Sequence, residues 1–204
     1  MNMLEIEVKF HLTSSSQIIR LITDHGGVSL YKGFEYNLRF DTSCENLRNN
    51  GMLLRLRKEN KSSLTLKTNP PLKDSSFKIQ NEYEVFVSDF GVTRTILERL
   101  GYRSVQVYEK ERETFSYKSG KLMADSLPYG DFLEIEGEKG TIRYIADELG
   151  FNWDERITMN YLQMFDIIKK EEGLLFSDIT FENFKGVAID INKYIPIFRL
   201  KAEG

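Results

Sequence analysis

The sequence predicts an α+β fold in which an antiparallel β-barrel has a charged interior and helices packed against its outside. Segments with the apolar–polar alternation of half-buried strands recur about eight or nine times along the chain. Few helical segments lie between them, which favours antiparallel pairing over the strand–helix–strand units of a parallel sheet. The polar positions of these segments hold mainly charged residues, so the polar face of each strand carries charge.

The first half of the chain is predicted to contain five strands, a helix and short turns. Ser14, Ser15 and Ser16 cap the helix, and Gly26-Gly27 ends it. The predicted elements are a strand over residues 3–12, a helix from 14 to 26, a strand over 28–42, a short turn or helix over 45–50, a hairpin over 52–59 and 63–68, a loop over 69–76 and a strand over 77–87.

The second half is predicted to contain three helices and about four short strands. The helices span residues 89–100, 139–149 and 158–171, and the strands lie between 102 and 136. Apolar clusters after Gly173 indicate an ordered segment, although it contains no recognisable motif. We therefore predict a barrel domain over residues 1–173 and an ordered C-terminal extension of unknown role over residues 174–204.

Composition limits the class of protein. The 204 residues suit one domain, and 41% hydrophobic residues are enough for a sizeable core. The net charge of −3 does not favour a nucleic-acid partner. Cys44 is the only cysteine, so no intrachain disulfide forms. No apolar run approaches the ~18 residues of a membrane span, and we expect a cytoplasmic protein.

Same-sign charges repeat at alternate positions of the predicted strands. Glu5 and Glu7, for example, alternate with Leu4, Ile6 and Val8, so one strand face is acidic and the other is apolar. Like charges on one face repel, so acidic pairs indicate a divalent metal and basic pairs indicate phosphate. The acidic set is Glu5, Glu7, Glu82, Glu84, Asp125, Glu134 and Glu136, and the basic set is Lys9, Arg39, Arg55, Arg57, Lys67, Lys110 and Arg112.

These charges point into the barrel if the alternating apolar residues pack outward against helices. Burying unpaired charges costs several kcal/mol each, so such an interior must be wet and charge-balanced, or filled by a charged ligand. A polyanion with several phosphates, together with Mg or Mn, satisfies both sets.

Seven sequence elements resemble, in order, those of the CYTH superfamily, the triphosphate tunnel metalloenzymes. That family includes class IV adenylyl cyclases, thiamine triphosphatases and inorganic triphosphatases. Its E-x-E-x-K motif alone matches often by chance, but seven elements in the right order are specific. The elements are Glu5-Ile6-Glu7-Val8-Lys9, Arg39-Phe40-Asp41-Thr42, the G-x-x-L-R-x-R run from Gly51 to Arg57, Thr65-Leu66-Lys67, Glu82-Tyr83-Glu84, Lys110-Glu111-Arg112, and Asp125 followed by the run from Gly130 to Glu136.

The resemblance implies an eight-stranded antiparallel tunnel with a charged lumen. It implies that Glu5, Glu7 and Glu136 hold a catalytic Mg or Mn, and that Asp125 and Glu134 bind a second ion or orient the attacking water. Lys9 is expected to act with Asp125 and Glu134 at the reacting centre, and Glu82 and Glu84 are further candidate ligands. The residues implied to grip the triphosphate are Lys9, Arg55, Arg57, Lys67, Lys110 and Arg112.

Two positions depart from the resembled pattern. The family often has Arg a few residues before E-x-E, and Lys78 is the nearest cation here. Arg39 stands where the family commonly has Tyr; it either points inward to bind phosphate or replaces the Tyr on the surface.

The leading functional prediction is a metal-dependent hydrolase of a triphosphate, either inorganic tripolyphosphate or an organic one. The second is a class IV adenylyl cyclase that converts ATP to cyclic AMP and pyrophosphate. The third is a non-catalytic binder of polyphosphate or nucleotide, although such a binder gains nothing from carboxylates that face its ligand. We expect a small-molecule triphosphate as the partner, no nucleic acid or membrane, and a monomer or homodimer.

Overall fold

A computed structural model describes residues 4–70 and 74–200, without the side chain of Leu200. The strands are β1 Leu4–Leu12, β2 Val28–Asp41, β3 Leu53–Lys58, β4 Ser62–Thr68, β5 Lys78–Val87, β6 Arg103–Tyr117, β7 Gly120–Leu127 and β8 Gly130–Glu136. The helices are α1 Ser15–Asp24, α2 Asn46–Asn49, α3 Phe90–Arg99, α4 Lys139–Glu148, α5 Tyr161–Glu172 and α6 Ile195–Leu200. Within these described residues, no helix has the length and apolarity needed to cross a membrane.

The eight strands close into one antiparallel barrel, as predicted. Around the ring the order is β1, β5, β4, β3, β2, β6, β7 and β8, and β8 pairs with β1 again. Short turns join β3 to β4, β6 to β7 and β7 to β8. The barrel leaves each strand with one face toward its interior and one face toward the outside, where the helices pack.

The prediction of about four strands between residues 102 and 136 is wrong by one. The structure has three strands there, because β6 is a single strand of 15 residues. β6 pairs with β2 from Arg103 to Ser116, while its second half, from Glu111 to Tyr117, also pairs with β7. The long pairing with β2 keeps β6 continuous across the point where its other neighbour begins.

The hydrophobic cores lie outside the barrel, between the strands and the helices. Val8 and Phe10 of β1 pack with Ile22 of α1 and Ile142 of α4 in one core cluster. A second cluster places Leu97 of α3 against β2 and β3. Because the apolar faces of these strands pack outward against helices, their charged faces point into the barrel interior.

Helix α5 begins three residues later than predicted, because the residues before it complete the barrel wall. The backbone of Lys9 exchanges two hydrogen bonds with Ile157, of 2.9 and 2.7 Å. Asn160 and Gln163 then form a capping box, in which each side chain accepts a hydrogen bond from the other residue's backbone amide. Gly173 ends the helix in a left-handed conformation, with φ of 66°.

Residues 174–200 pack over α5 and along β6. Ile179 donates its amide to the carbonyl of Val107 and accepts from the amide of Glu109, both at 2.8 Å. Phe184 and Phe198 join Phe165 of α5 in a third apolar cluster, and both are nearly or fully buried. The segment therefore shares one hydrophobic core with helix α5.

We expect truncation after Gly173 to lower the melting temperature by at least ~10 °C. The truncation removes Ile179, Phe184 and Phe198, and each buried side chain of this size contributes roughly 1.5–3 kcal/mol. Differential scanning calorimetry measures the effect. Leu175→Ser is the matched control, because the Leu175 side chain in the same segment is 99% exposed. A truncated chain that melts within ~2 °C of the full chain contradicts this packing account.

Candidate active site

One cavity of about 1110 Å³ runs into the barrel, and charged side chains from all eight strands line it. Of the residues proposed from sequence, only Asp125 is absent from its wall. The predicted residues that line it are Glu5, Glu7, Lys9, Arg39, Arg55, Arg57, Lys67, Lys78, Glu82, Glu84, Lys110, Arg112, Glu134 and Glu136. The alternation that assigned these residues to one face therefore matches the face that they occupy.

Three carboxylates converge at the junction of β1 and β8. Glu5, Glu7 and Glu134 each place an oxygen within 4.8 Å of the other two. The register explains this, since Lys9 of β1 lies opposite Glu134 of β8 and Glu7 lies two residues away on the same inward face. Among the described residues, this is the group of acidic side chains whose geometry suits a metal ion.

Glu7 is the buried centre of this cluster. Its side chain is 2% exposed, and its Oε1 accepts hydrogen bonds from Lys9 and from Lys78, the latter at 2.7 Å. Its Oε2 is buried without a hydrogen-bond partner among the described residues. An orphaned carboxylate oxygen beside two further carboxylates fits the oxygen-rich coordination that Mg and Mn prefer. The residues present therefore fit a divalent metal.

Burial acts to raise the pKa of Glu134, but Lys9 and Arg112 outweigh burial and hold that pKa well below its usual range. The Glu134 carboxylate therefore stays ionised at neutral pH, as a metal ligand must.

Glu136 lies at the edge of the acidic cluster. It is paired across the sheet with Glu7, but its carboxylate lies 3.5 Å from Lys121 and is not one of the three converging groups. Burial raises the pKa of Glu136, Lys121 opposes this, and Glu5, Glu134 and Glu7 raise it further. Its predicted role as a ligand stays a prediction.

Glu82 and Glu84 neutralise the basic wall formed by β3 and β4. Glu82 lies 2.6 Å from Lys67. Glu84 accepts hydrogen bonds from Arg57 at 2.8 Å and from Thr65 at 2.7 Å. Neither carboxylate belongs to the converging group of three, so in this structure both hold the cations in place.

Asp125 lies behind the cavity wall and is fully buried. Arg112 grips it with two hydrogen bonds of 2.5 Å, and Lys110 lies 3.1 Å away. Tyr161 donates a fourth hydrogen bond to it at 2.7 Å. Both Asp125 oxygens are therefore engaged, and the carboxylate orients two cations that line the cavity.

Lys78 and Arg39, the two departures from the family pattern, both line the cavity. Lys78 lies 2.7 Å from Glu7, so it contacts the acidic cluster. Arg39 is half-buried and points inward, which decides between its two predicted placements.

Glu35 was not among the site residues predicted from the sequence. This β2 residue is fully buried and lies 3.4 Å from Arg57, 3.4 Å from Lys110 and 3.6 Å from Arg112. Burial acts to raise the pKa of Glu35, but these three cations hold it far below its ordinary value of 4.5. Alternation along the strand indicates this residue, because Glu35 lies four residues before Arg39 on β2 and therefore points to the same side of the sheet.

Tyr161 of α5 belongs to the third apolar cluster and also reaches the polar network. Its ring lies 5.1 Å from the Lys9 ammonium and 5.2 Å from that of Lys110, so it faces two cations. Burial and the nearby Asp125 raise the pKa of Tyr161 well above its usual value, so its hydroxyl remains a donor. Strand periodicity gives no signal for a residue that arrives from a helix.

Glu35→Gln is expected to destabilise the protein at pH 7 and much less at low pH. A carboxylate whose folded pKa is depressed contributes stability that is fully present above its unfolded pKa and is lost as pH falls toward its folded pKa. The difference in the free energy of unfolding between wild type and variant should therefore shrink steadily below pH 4.5. Urea titrations at several pH values measure it. A pH-independent difference contradicts the role given to Glu35.

Comparison with known proteins gives one family. The CYTH domain model matches residues 3–148, which span β1 to α4, so α5 and the C-terminal segment lie outside the match. A relative from Methanocaldococcus jannaschii, named "Putative adenylate cyclase MJ0240", is 25% identical over 173 residues. The alignment covers 79% of this chain and 98% of that relative.

Solved structures share the fold. A "putative adenylate cyclase" from Vibrio parahaemolyticus matches with a TM-score of 0.70 and 18% identity, over 81% of this chain and 99% of that one. The PH1012 protein of Pyrococcus horikoshii matches with a TM-score of 0.67 and 26% identity, over 78% and 98%. HpAC1 from Hippeastrum, described as a "putative adenylyl cyclase" with a dominant triphosphatase activity, matches with a TM-score of 0.57 and 18% identity, over 85% of this chain and 97% of that one.

Proposed function

Because the chain belongs to the CYTH family, whose enzymes are triphosphatases or adenylyl cyclases, we propose that it is a divalent-metal-dependent hydrolase of a triphosphate. The substrate is inorganic tripolyphosphate or an organic triphosphate. One observation carries the proposal: three converging carboxylates and a wall of Lys and Arg share a single cavity. The triphosphatase activity described for the Hippeastrum protein supports the same reaction.

The basic wall binds the phosphate chain and neutralises its charge. Arg forks match phosphate oxygens with two parallel hydrogen bonds, and Lys adds a compact charge. The Nε atoms of Arg55 and Arg57 are buried without an acceptor among the described residues, so each guanidinium has donor capacity to spare. Arg112 is held rigidly by Asp125. Fixed donors aimed at the phosphate stabilise the charge that develops during transfer.

Glu5, Glu7 and Glu134 would hold the divalent ion, Mg or Mn. When bound, the ion would supply positive charge against the developing negative charge of the phosphate oxygens. Glu134, which stays ionised beside Lys9 and Arg112, accepts a hydrogen bond from the attacking water and orients it. Lys9 lies between Glu7 and Glu134 and reaches the reacting phosphate from the same wall.

Class IV adenylyl cyclase is the second candidate, and two observations favour it. Relatives from Methanocaldococcus and Vibrio carry adenylate cyclase in their names. The cavity of about 1110 Å³ is large enough for a nucleotide, and Met52, Leu53 and Leu162 add apolar surface to its wall. In that reaction the ribose 3′-oxygen attacks the α-phosphorus of ATP and pyrophosphate leaves.

Product analysis separates the candidates. The protein is incubated with Mg or Mn and with tripolyphosphate, ATP or thiamine triphosphate, and phosphate, pyrophosphate and cyclic AMP are separated. Release of phosphate from a triphosphate supports the hydrolase. Cyclic AMP with pyrophosphate supports the cyclase instead. Tight binding without any product leaves a polyphosphate or nucleotide binder and contradicts both enzymatic proposals.

A further inference from the structure

Arg39 differs from the other cations of the cavity wall. Among residues 4–70 and 74–200, each other Lys or Arg that lines the cavity has a carboxylate oxygen within 4.0 Å. Over the same residues, Arg39 has neither an ion pair at that distance nor a side-chain hydrogen bond. Arg39 is a half-buried guanidinium in a charged cavity, and its N–H donors have no acceptor among the described residues.

Asp41 and Asp166, two of the three carboxylates whose charges act on Arg39, accept hydrogen bonds from other groups. Asp41 accepts hydrogen bonds from the backbone amides of Thr42, Leu47 and Arg48, at 2.7, 2.9 and 3.0 Å. Asp166 of α5 accepts from the Arg48 side chain at 3.1 Å. Among the described residues, neither carboxylate forms an ion pair with Arg39 within 4.0 Å.

Arg39 also faces positive charge across the sheet. The register places Arg39 of β2 directly opposite Arg55 of β3, and both line the cavity. Like charges directly opposite on one sheet face destabilise the pair. Burial lowers the pKa of Arg39 and the charge of Arg48 lowers it further, while Asp41, Asp166 and Glu45 act in the opposite direction. An anion bound between the guanidinium groups of Arg39 and Arg55 relieves this repulsion.

This part of the wall lies at the solvent end of the cavity. The side chains of Arg48 and Asp166 are 51% and 49% exposed, whereas those of Lys110 and Arg112 are 3% and 9% exposed. The cations of the wall therefore extend from a buried inner group to the exposed Arg48. Arg39 lies opposite Arg55 in the sheet, and Arg48 is the cation whose charge acts on it.

We propose that Arg39, together with Arg48, forms an anion subsite at the cavity mouth for a phosphoryl group beyond the three that the inner cations hold. The preferred substrate class is then a linear phosphate chain of four or more phosphoryl groups. This inference rests on the proposed function, because it extends the same cavity. The competing occupant is a nucleotide base stacked on the guanidinium face, which uses the plane of Arg39 rather than its charge.

Binding affinities test the subsite. Calorimetry in metal-free buffer, which prevents metal-dependent turnover, gives the dissociation constants of tripolyphosphate, linear tetraphosphate and ATP for the full chain. We expect wild type to bind tetraphosphate about tenfold more tightly than tripolyphosphate, the effect of one charge-assisted contact. Arg39→Gln should reduce that ratio to about one. Arg20→Gln, which removes an exposed charge of α1 outside the cavity, should keep the wild-type ratio.

A second readout reports on the geometry. Arg39→Gln removes a charge that faces Arg55, so its melting temperature without ligand should equal or exceed that of wild type. Tetraphosphate should raise the melting temperature of wild type more than that of the variant. A lower melting temperature of the ligand-free variant, with an unchanged affinity ratio, overturns the subsite and makes Arg39 a structural residue.

The outcomes separate this inference from the proposed function. If tripolyphosphate is hydrolysed with metal but wild type and Arg39→Gln show the same affinity ratio, the subsite is refuted and the hydrolase stands. If Arg39→Gln loses affinity for ATP alone, the mouth binds a base and the subsite is again refuted. If wild type binds neither phosphate chain, both proposals fall.

Discussion

Glu7→Gln is expected to lower the rate of triphosphate turnover by about 10³-fold while the protein remains folded. The substitution keeps the side-chain volume and deletes one charge from the three converging carboxylates. A metal held by oxygen ligands loses affinity when a ligand loses its charge, and the positive charge that stabilises the reacting phosphate goes with it. Steady-state rates with Mg or Mn, and Mn binding followed by calorimetry, measure both parts.

Glu98→Gln is the matched control for this variant, because it makes the same chemical change on α3, where Glu98 pairs only with Arg94 among the described residues. We expect its rate to equal that of wild type. A Glu7→Gln protein that binds Mn and turns over triphosphate at the wild-type rate contradicts the assignment of the metal site.

Arg112→Met is expected to reduce the free energy of unfolding by about 3–5 kcal/mol, which corresponds to a fall in melting temperature of roughly 10 °C. Asp125 is fully buried and loses the guanidinium that grips both its oxygens. A buried charge that loses its partner costs far more than the pair contributes when intact. Urea unfolding and thermal melts measure the loss.

Two comparisons isolate the cause of that loss. Arg99→Met makes the same change on the exposed surface of α3, and we expect it to alter stability by less than ~0.5 kcal/mol. The double variant Arg112→Met/Asp125→Asn should recover part of the stability, because it removes the unpaired charge as well. A loss below ~1 kcal/mol in Arg112→Met would show that Asp125 does not depend on this arginine.

The barrel was predictable because its signals are local. Alternation assigns Glu5, Glu7, Arg55 and Lys67 to one face wherever the strands pair, and the structure places all four at the cavity. Ser14 caps α1 as predicted, accepting from the amide of Gln17. Features that depend on pairing partners were not predictable. β6 continues past residue 110 because it stays paired with β2, and nothing in the β6 sequence indicates which strand pairs with it.

The composition of the acidic cluster could not be predicted for a related reason. Glu134 and Glu136 share one phase on β8, so alternation sends both inward. The register places Glu136 opposite Glu7 and Glu134 opposite Lys9. It is nevertheless the Glu134 carboxylate that converges with Glu5 and Glu7, while the Glu136 carboxylate lies 3.5 Å from Lys121. Tyr161 depends on where α5 begins, which the pairing of Ile157 with Lys9 decides. Long-range contacts of this kind leave no periodic signal in the sequence.

Anomalous scattering from crystals grown with Mn and a non-hydrolysable triphosphate tests the central claim most directly. The account predicts a manganese peak between the carboxylates of Glu5, Glu7 and Glu134, with the phosphate chain against Arg55, Arg57 and Arg112. A peak bound to other residues, or a triphosphate bound outside the barrel, would contradict it.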